Sequence, residues 1–212
     1  MTSATIMGPG LSTSASSTWK DTFNNLPYGY LFTVYAAPFI NQSELTISNV
    51  LNEVYYQNFL NSLFMGTNGP LNMAYEKTVI TELAMIEGTG VDGVTNTMVS
   101  AIWALDTLLE GAKFGLERIL LKADPSNTDF ISVFGAGPNY DPQPIYYALL
   151  LMSIIQEKSY TYFLSPSVMQ GSSQFIKVYG LKSGTAVSLV LLNKDTNISV
   201  SGEVILNSTS IG

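Results

Sequence analysis

The chain has neither histidine nor cysteine, so a Ser-His-Asp triad, an imidazole base, a His-based zinc site and a thiolate nucleophile are excluded within it. Chemistry near neutral pH would fall to carboxylates and tyrosines. Glu82 directly follows Thr78-Val79-Ile80-Thr81, a short uncharged run of strand-forming residues. In β/α barrels, catalytic side chains stand where strands end, because the loops there vary while the strands hold position. Two carboxyl groups about 5–5.5 Å apart across a glycosidic bond give retaining hydrolysis through a covalent intermediate, and a wider gap admits a water. A carboxylate on a rigid strand end could supply the attacking group, since its motion is limited. The same glutamate could be a solvated rim residue or a cap for the next helix. Asp92, Asp124 and Asp129 follow strands less directly, and Glu87 lies in the adjacent loop. Asp106, in an apolar helix after Trp103, reads as a buried or helix-end hydrogen-bond acceptor, since an unpaired carboxylate there is costly. Trp19 and Trp103 could stack on a sugar or, given their helical spacing with Leu and Phe, pack in a core.

The positioning elements can be read from periodicity and punctuation. Ile6-Met7 reads as a strand end followed by a loop rich in Gly, Pro, Ser and Thr up to Ser17. Trp19 to Leu26 reads as a short amphipathic helix ended by Pro27 and Gly29. Leu31 to Tyr35 is β-branched and aromatic, hence a strand, with Pro38 at its exit. From Glu44 to Met65 apolar residues recur at helical spacing, with Ser43 or Thr46 as cap. A turn over Gly66 to Pro70 and a half-turn over Met73 to Glu76 lead to the strand that ends at Glu82. The Gly-rich run Gly88 to Gly93 then opens a helix from about Thr97 to Phe114, capped near Thr95 or Asn96 and stopped by Gly115. Ile119-Leu120-Leu121 is the next buried strand, followed by an irregular segment from Asp124 to Pro144. Ile145 to Ile155 is a helix apolar on all sides, which predicts burial on most of them.

Strand and helix thus alternate as in a β/α repeat with a parallel sheet. After Lys158 the pattern changes. Gln174 to Tyr179, Ala186 to Leu192 and Ile198 to Leu206 are short strands separated by Leu181 to Gly184 and Asn193 to Asp195, which predicts an antiparallel sheet with one packed face. A boundary is expected between Lys158 and Ser165. Three β/α units cannot close a barrel and three strands cannot close a sandwich, so both ends read as cut, with a missing N-terminal barrel half or a partner chain implied.

Charged residues make up only 12% of the chain, about half the usual share, and Ser, Thr, Asn and Gly take their place. That suits a secreted or extracellular glycoprotein, in which Asn41, Asn197 and Asn207, each in an Asn-x-Ser/Thr triplet, would be glycan acceptors. A net charge of -7 argues against nucleic acid as partner, because phosphate binding needs clustered Lys and Arg. Nothing resembles a signal peptide, and no run is long and apolar enough for a membrane span.

Three blocks are distinctive together: Val79-Ile80-Thr81-Glu82-Leu83-Ala84-Met85-Ile86, then Gly88 to Thr95, then Met98-Val99-Ser100-Ala101-Ile102-Trp103-Ala104-Leu105-Asp106. They resemble the nucleophile strand, Gly-rich loop and following helix of the β-glucuronidase and heparanase family of retaining glycoside hydrolases. Around them, Gly8-Pro9-Gly10-Leu11-Ser12 with Trp19 is similar to the family's Gly-Pro-Ser loop, and Thr33 to Pro38 to a strand that carries His-Tyr-Tyr-Pro in relatives. Arg118 to Lys122 is similar to a strand usually closed by His, Pro144 to Ala148 to a Pro-x-Tyr-Tyr-Gly helix start, and the tail with Leu191-Leu192-Asn193 to a small β-sandwich. The likeness covers nearly the whole chain, but only Glu82 to Asp106 is specific.

The resemblance implies an α/β fold: the C-terminal half of a (β/α)8 TIM barrel over residues 1–160, followed by part of an antiparallel β-sandwich over 161–212. It assigns Glu82 as nucleophile and Tyr35 and Lys122 to the sugar subsite, with a carbohydrate as partner and Lys122 facing a uronate carboxylate. No cofactor or metal is implied. Relatives follow the nucleophile with Thr-Asn-Ser, whereas this chain has Leu83-Ala84-Met85, and Ala36-Ala37 replaces their paired tyrosines. The acid/base carboxylate belongs to an earlier barrel strand, so the expected protein is a β-glucuronide hydrolase-like chain that is incomplete or inactive alone. The rival expectation is a non-catalytic carbohydrate-binding or structural cell-surface remnant of the family.

Overall fold

The computed structural model describes residues 7–12, 31–39, 41–61, 78–116, 118–124, 131–158, 160, 162–164, 175–197, 199 and 201. The chain divides into two compact units, Met1–Leu149 and Leu150–Gly212. The helix proposed over Trp19 to Leu26 and the turns between residues 66 and 76 lie outside the described residues.

The first unit holds four strands, β1 (Met7–Ser12), β2 (Leu31–Ala36), β3 (Thr78–Leu83) and β4 (Arg118–Leu121). They lie side by side in chain order and every pairing is parallel. All four carboxyl ends therefore share one edge of the sheet. Gly8-Pro9-Gly10, expected in a loop, lies inside β1. Three steps along β1, from Met7 to Gly10, span two along β2, from Leu31 to Thr33. Proline has no N–H for the ladder, and a bulge is where a strand tolerates it.

The long helix expected from Glu44 onward is two short ones, α1 (Ile47–Leu51) and α2 (Glu53–Leu60), behind a 3-10 turn at Gln42–Glu44. Thr46 Oγ1 caps α1 by accepting from the Asn49 N–H at 3.2 Å. Asn52 breaks the run: its backbone is extended, φ -72° and ψ 119°, and its side chain accepts from the Val54 N–H at 2.9 Å to start α2. A short polar side chain that can bond its own following backbone competes with helix continuation.

Helix α3 (Met98–Lys113) follows β3. Its end is a glycine cap, with Gly115 at φ 80° and the N–H groups of Gly115 and Leu116 donating to the carbonyls of Ala112 and Gly111. Most of α3 is buried, including Trp103, Asp106 and Thr107. Gly111 lets it approach the sheet closely, since a Cβ there would lie 2.5 Å from Ile119 Cδ1.

Helix α4 (Pro144–Gln156) contains the division between the units. Its expected burial on most sides is not found: Ile145 and Ala148 are buried, while Tyr147, Leu150, Leu151 and Ile154 are exposed. These four share one face at i, i+3, i+4 and i+7. Among the described residues no helix is long and apolar enough to cross a membrane.

The second unit carries the antiparallel sheet β5 (Tyr162–Leu164), β6 (Ile176–Ser183) and β7 (Ala186–Asn193). The turn expected at Leu181 to Gly184 is tighter. Pairing of Ser183 with Ala186 leaves Gly184 and Thr185 as a two-residue loop, and Gly184 supplies the positive φ, 58°, that such loops need. Tyr179, Leu181 and Leu192 form its buried side. Tyr160 is hydrogen-bonded through its hydroxyl to Ser188. Apart from Ser199 and Ser201, the strand expected over Ile198 to Leu206 lies outside the described residues.

Candidate active site at the carboxyl edge of the sheet

Glu82 is the penultimate residue of β3 rather than the residue after it. Its orientation follows from a register irregularity. Val34 pairs with Ile80 and Tyr35 with Glu82, so one step on β2 spans two on β3. On the other flank, Ile80 pairs with Ile119 and Leu83 with Leu121, so two steps on β4 span three. β3 thus carries one extra residue, at Thr81, relative to both neighbours. A bulge of this kind shifts the alternation of side chains by one.

The consequence is a change of face. In an unbroken strand Glu82 would share the side of Ile80, which pairs with Ile119 beneath α3. With the bulge, Ile80 and Leu83 share that packed side, and both are buried. Glu82 falls instead on the side of Val79, Arg118 and Leu120, where it is half-buried while Arg118 and Leu120 are exposed. A carboxylate is thereby kept out of an apolar interface that would penalise its charge.

Of the two expected partners, Tyr35 meets Glu82 at the backbone level and Lys122 lies one residue past the last pair of β3 with β4. Tyr35 stands opposite it in register; the structure describes Tyr35 by its backbone. Lys122 directly follows β4, and alternation places it on the side of Arg118 and Leu120. It is half-buried, and its carbonyl accepts from the Val133 N–H at 2.9 Å.

Beyond their strands, β2 and β3 continue side by side. Ala84 N–H donates to the Ala36 carbonyl, Phe39 N–H to that of Met85, and Glu87 N–H to that of Phe39. Gln42 Nε2 donates to the Thr89 carbonyl at 3.2 Å and to its hydroxyl at 3.0 Å, tying the loop after β2 to the loop after β3. This tie joins residues 47 apart, and nothing in the local sequence around Gln42 signals it.

The remaining candidates are placed as follows. Asp92 is exposed and accepts from Asn96 Nδ2 at 2.8 Å, a bond that shapes the Gly-rich loop. Glu87 is exposed, Asp124 is half-buried beside Ser132, and Asp129 lies outside the described residues. Among the described residues no group of three or more carboxylates could hold a metal ion. Trp103 is buried, 3% exposed, beside a crevice bordered by Phe39, Tyr55 and Tyr56 with room for about one water. Its role is packing, and Trp19 lies outside the described residues. Asn41 and Asn197 are exposed, and Asn207 lies outside the described residues.

No family model and no curated protein matches this sequence.

Behind the sheet, Asp106 is fully buried on α3, with Tyr56 of α2 nearby. The Tyr56 phenol is pushed far above its usual range, first by burial, then by the negative charge of Asp106, with the Thr107 hydroxyl acting in the opposite direction. Tyr56 therefore stays neutral and serves the packing of α2 on α3.

Proposed function

We propose that this chain carries the nucleophile side of a retaining glycoside hydrolase-like site for β-glucuronides or related β-linked sugars, within the second half of a (β/α)8 barrel followed by part of a β-sandwich. The observation that carries the reading is Glu82 near the carboxyl end of β3, turned by the bulge away from the helix-packed face and in register with Tyr35. Four parallel strands with their carboxyl ends along one edge are the setting in which such a group meets substrate. Glu82 attacks the anomeric carbon, Tyr35 and Lys122 line the sugar subsite, and the Lys122 ammonium meets the uronate carboxylate. Exposed Asn41 and Asn197 suit the extracellular setting.

Protonation of the leaving oxygen needs a second carboxyl group, which the resemblance assigns to an earlier strand. Without it, rates fall by roughly 10²–10⁴, so the chain alone is expected not to turn over aryl glucuronides. A 2-deoxy-2-fluoroglucuronyl fluoride removes that requirement, because fluoride departs unprotonated. The Glu82 carboxylate forms the bond to the anomeric carbon as the carbon–fluorine bond breaks. Peptide mass spectrometry is expected to find the adduct on Glu82, and none in Glu82→Gln. A wild-type chain that forms no adduct under saturating reagent would refute the nucleophile assignment.

A second reading is favoured by one observation. Leu83, Ala84 and Met85, which replace polar residues of the resembling family, are all buried. They pack the core and leave fewer groups to orient a substrate, as in a non-catalytic carbohydrate-binding protein. Saccharide binding that survives Glu82→Gln, without adduct formation in the wild type, would mark that case.

A further inference from the structure

The segment after β4 closes into a hairpin rooted beside Lys122. Val133 N–H donates to the Lys122 carbonyl at 2.9 Å, Gln143 N–H to the Val133 carbonyl at 2.9 Å, and Gly135 N–H to the Asp141 carbonyl at 2.8 Å. Near its tip Tyr140 has φ 51°, in the left-handed region that a bulky side chain rarely adopts and that Gly or Asn occupies more readily. The residue is also 53% exposed, so no core packing compensates the strain. Its ring lies against the hairpin's own backbone. A Cβ on Gly137 would come within 3.1–3.3 Å of the phenolic end of Tyr140, so that end rests on bare backbone. Asn139 and Asp141, both exposed, flank it. Strain retained at an exposed, oriented side chain is characteristic of binding positions.

A pyranose presents a flat face of C–H groups bordered by hydroxyls. An aromatic ring suits the face, and an amide and a carboxylate suit the hydroxyls. We propose that Tyr140 is a stacking platform for a neutral pyranose unit of a bound saccharide, with Asn139 and Asp141 receiving its hydroxyls. This deepens the saccharide reading above and rests on it for the ligand class. The unit is neutral because the Asp141 carboxylate would repel a uronate placed beside it.

The test uses the full chain with cellotetraose, xylotetraose, chitotetraose and tetragalacturonate as probes, read by calorimetric titration. Tyr140→Asn removes the ring while keeping a residue suited to the left-handed backbone, and Tyr140→Phe keeps the stacking surface. At least one neutral tetrasaccharide is expected to bind the wild type and Tyr140→Phe with similar affinity, and Tyr140→Asn about tenfold more weakly. The uronate probe is expected to show no dependence on residue 140. Equal affinities in wild type and Tyr140→Asn would overturn the proposal, as would failure of every neutral probe to bind the wild type. The glycosyl fluoride experiment separates the two ideas: Glu82 labelling without any effect at residue 140 leaves the nucleophile and removes the platform, and the converse result does the reverse.

Discussion

Glu82 stands opposite Tyr35, and Ile80, two residues earlier, stands opposite Val34, the immediate neighbour of Tyr35. That mismatch of one residue decides which of two adjacent side chains, Glu82 or Leu83, enters the packed face of the sheet. Glu82→Gln is accordingly expected to change stability by less than about 1 kcal/mol, whereas Leu83→Gln, at a site 1% exposed, should cost about 3 kcal/mol or more. Urea denaturation of the two variants beside the wild type checks this. Equal losses would mean that the face assignment is wrong.

Deleting Thr81 should straighten β3 without moving Ile80, Glu82 or Leu83 to new faces, because the extra residue sits between sides already allotted. The deletion variant is expected to unfold cooperatively, with a loss of about 1–2 kcal/mol. Circular dichroism melts would show it. A variant that does not fold would show that Thr81 holds more than the register.

Gly111 of α3 faces Ile119 of β4. Alanine is the better helix former by about 1 kcal/mol, and the added methyl would meet Cδ1 of Ile119, the movable end of a flexible side chain, so Gly111→Ala is expected to change stability by less than about 1 kcal/mol. Ile119→Val removes that atom. In a double-mutant cycle Gly111→Ala should be more favourable on the Ile119→Val background, and an equal effect on both backgrounds would show that the two sites do not meet.

Tyr56 makes an alkaline prediction. Its folded-state pKa lies above the unfolded value of about 10, so above that pH the unfolded chain releases a proton that the folded chain keeps. Stability contributed by neutral Tyr56 is complete below pH about 10 and declines as pH rises further, by about 1.4 kcal/mol per pH unit. Tyr56→Phe should make the fall of stability between pH 10 and 11 smaller by about 1 kcal/mol, since the unfolded phenol is already half ionised at pH 10, measured by chemical denaturation at each pH. An unchanged slope would show that Tyr56 titrates normally.

Some of this was written in the chain itself. The absence of His and Cys excludes whole mechanisms wherever the residues end up. The extent of α3 follows from local marks, the apolar spacing from Met98 and the stop at Gly115, and a helix is closed by bonds four residues apart. The parallel strands were legible as short apolar runs, and Glu82 as a carboxylate at the end of one. Asn52 was harder to read, because the apolar spacing continues across it while its side chain offers a competing cap.

Register is not local, and there the folded molecule had the deciding part. A β-bulge exists only relative to the neighbouring strands, so the turn of Glu82 away from α3 could not be seen until β2 and β4 lay beside β3. Trp103 was ambiguous between sugar platform and core until α2 and the loop after β2 buried it. The apolar surface of α4 likewise did not reveal which of its sides would be covered. Side chains are sorted into core and rim by whichever segments fold against them, and that information is held jointly by residues far apart in the chain.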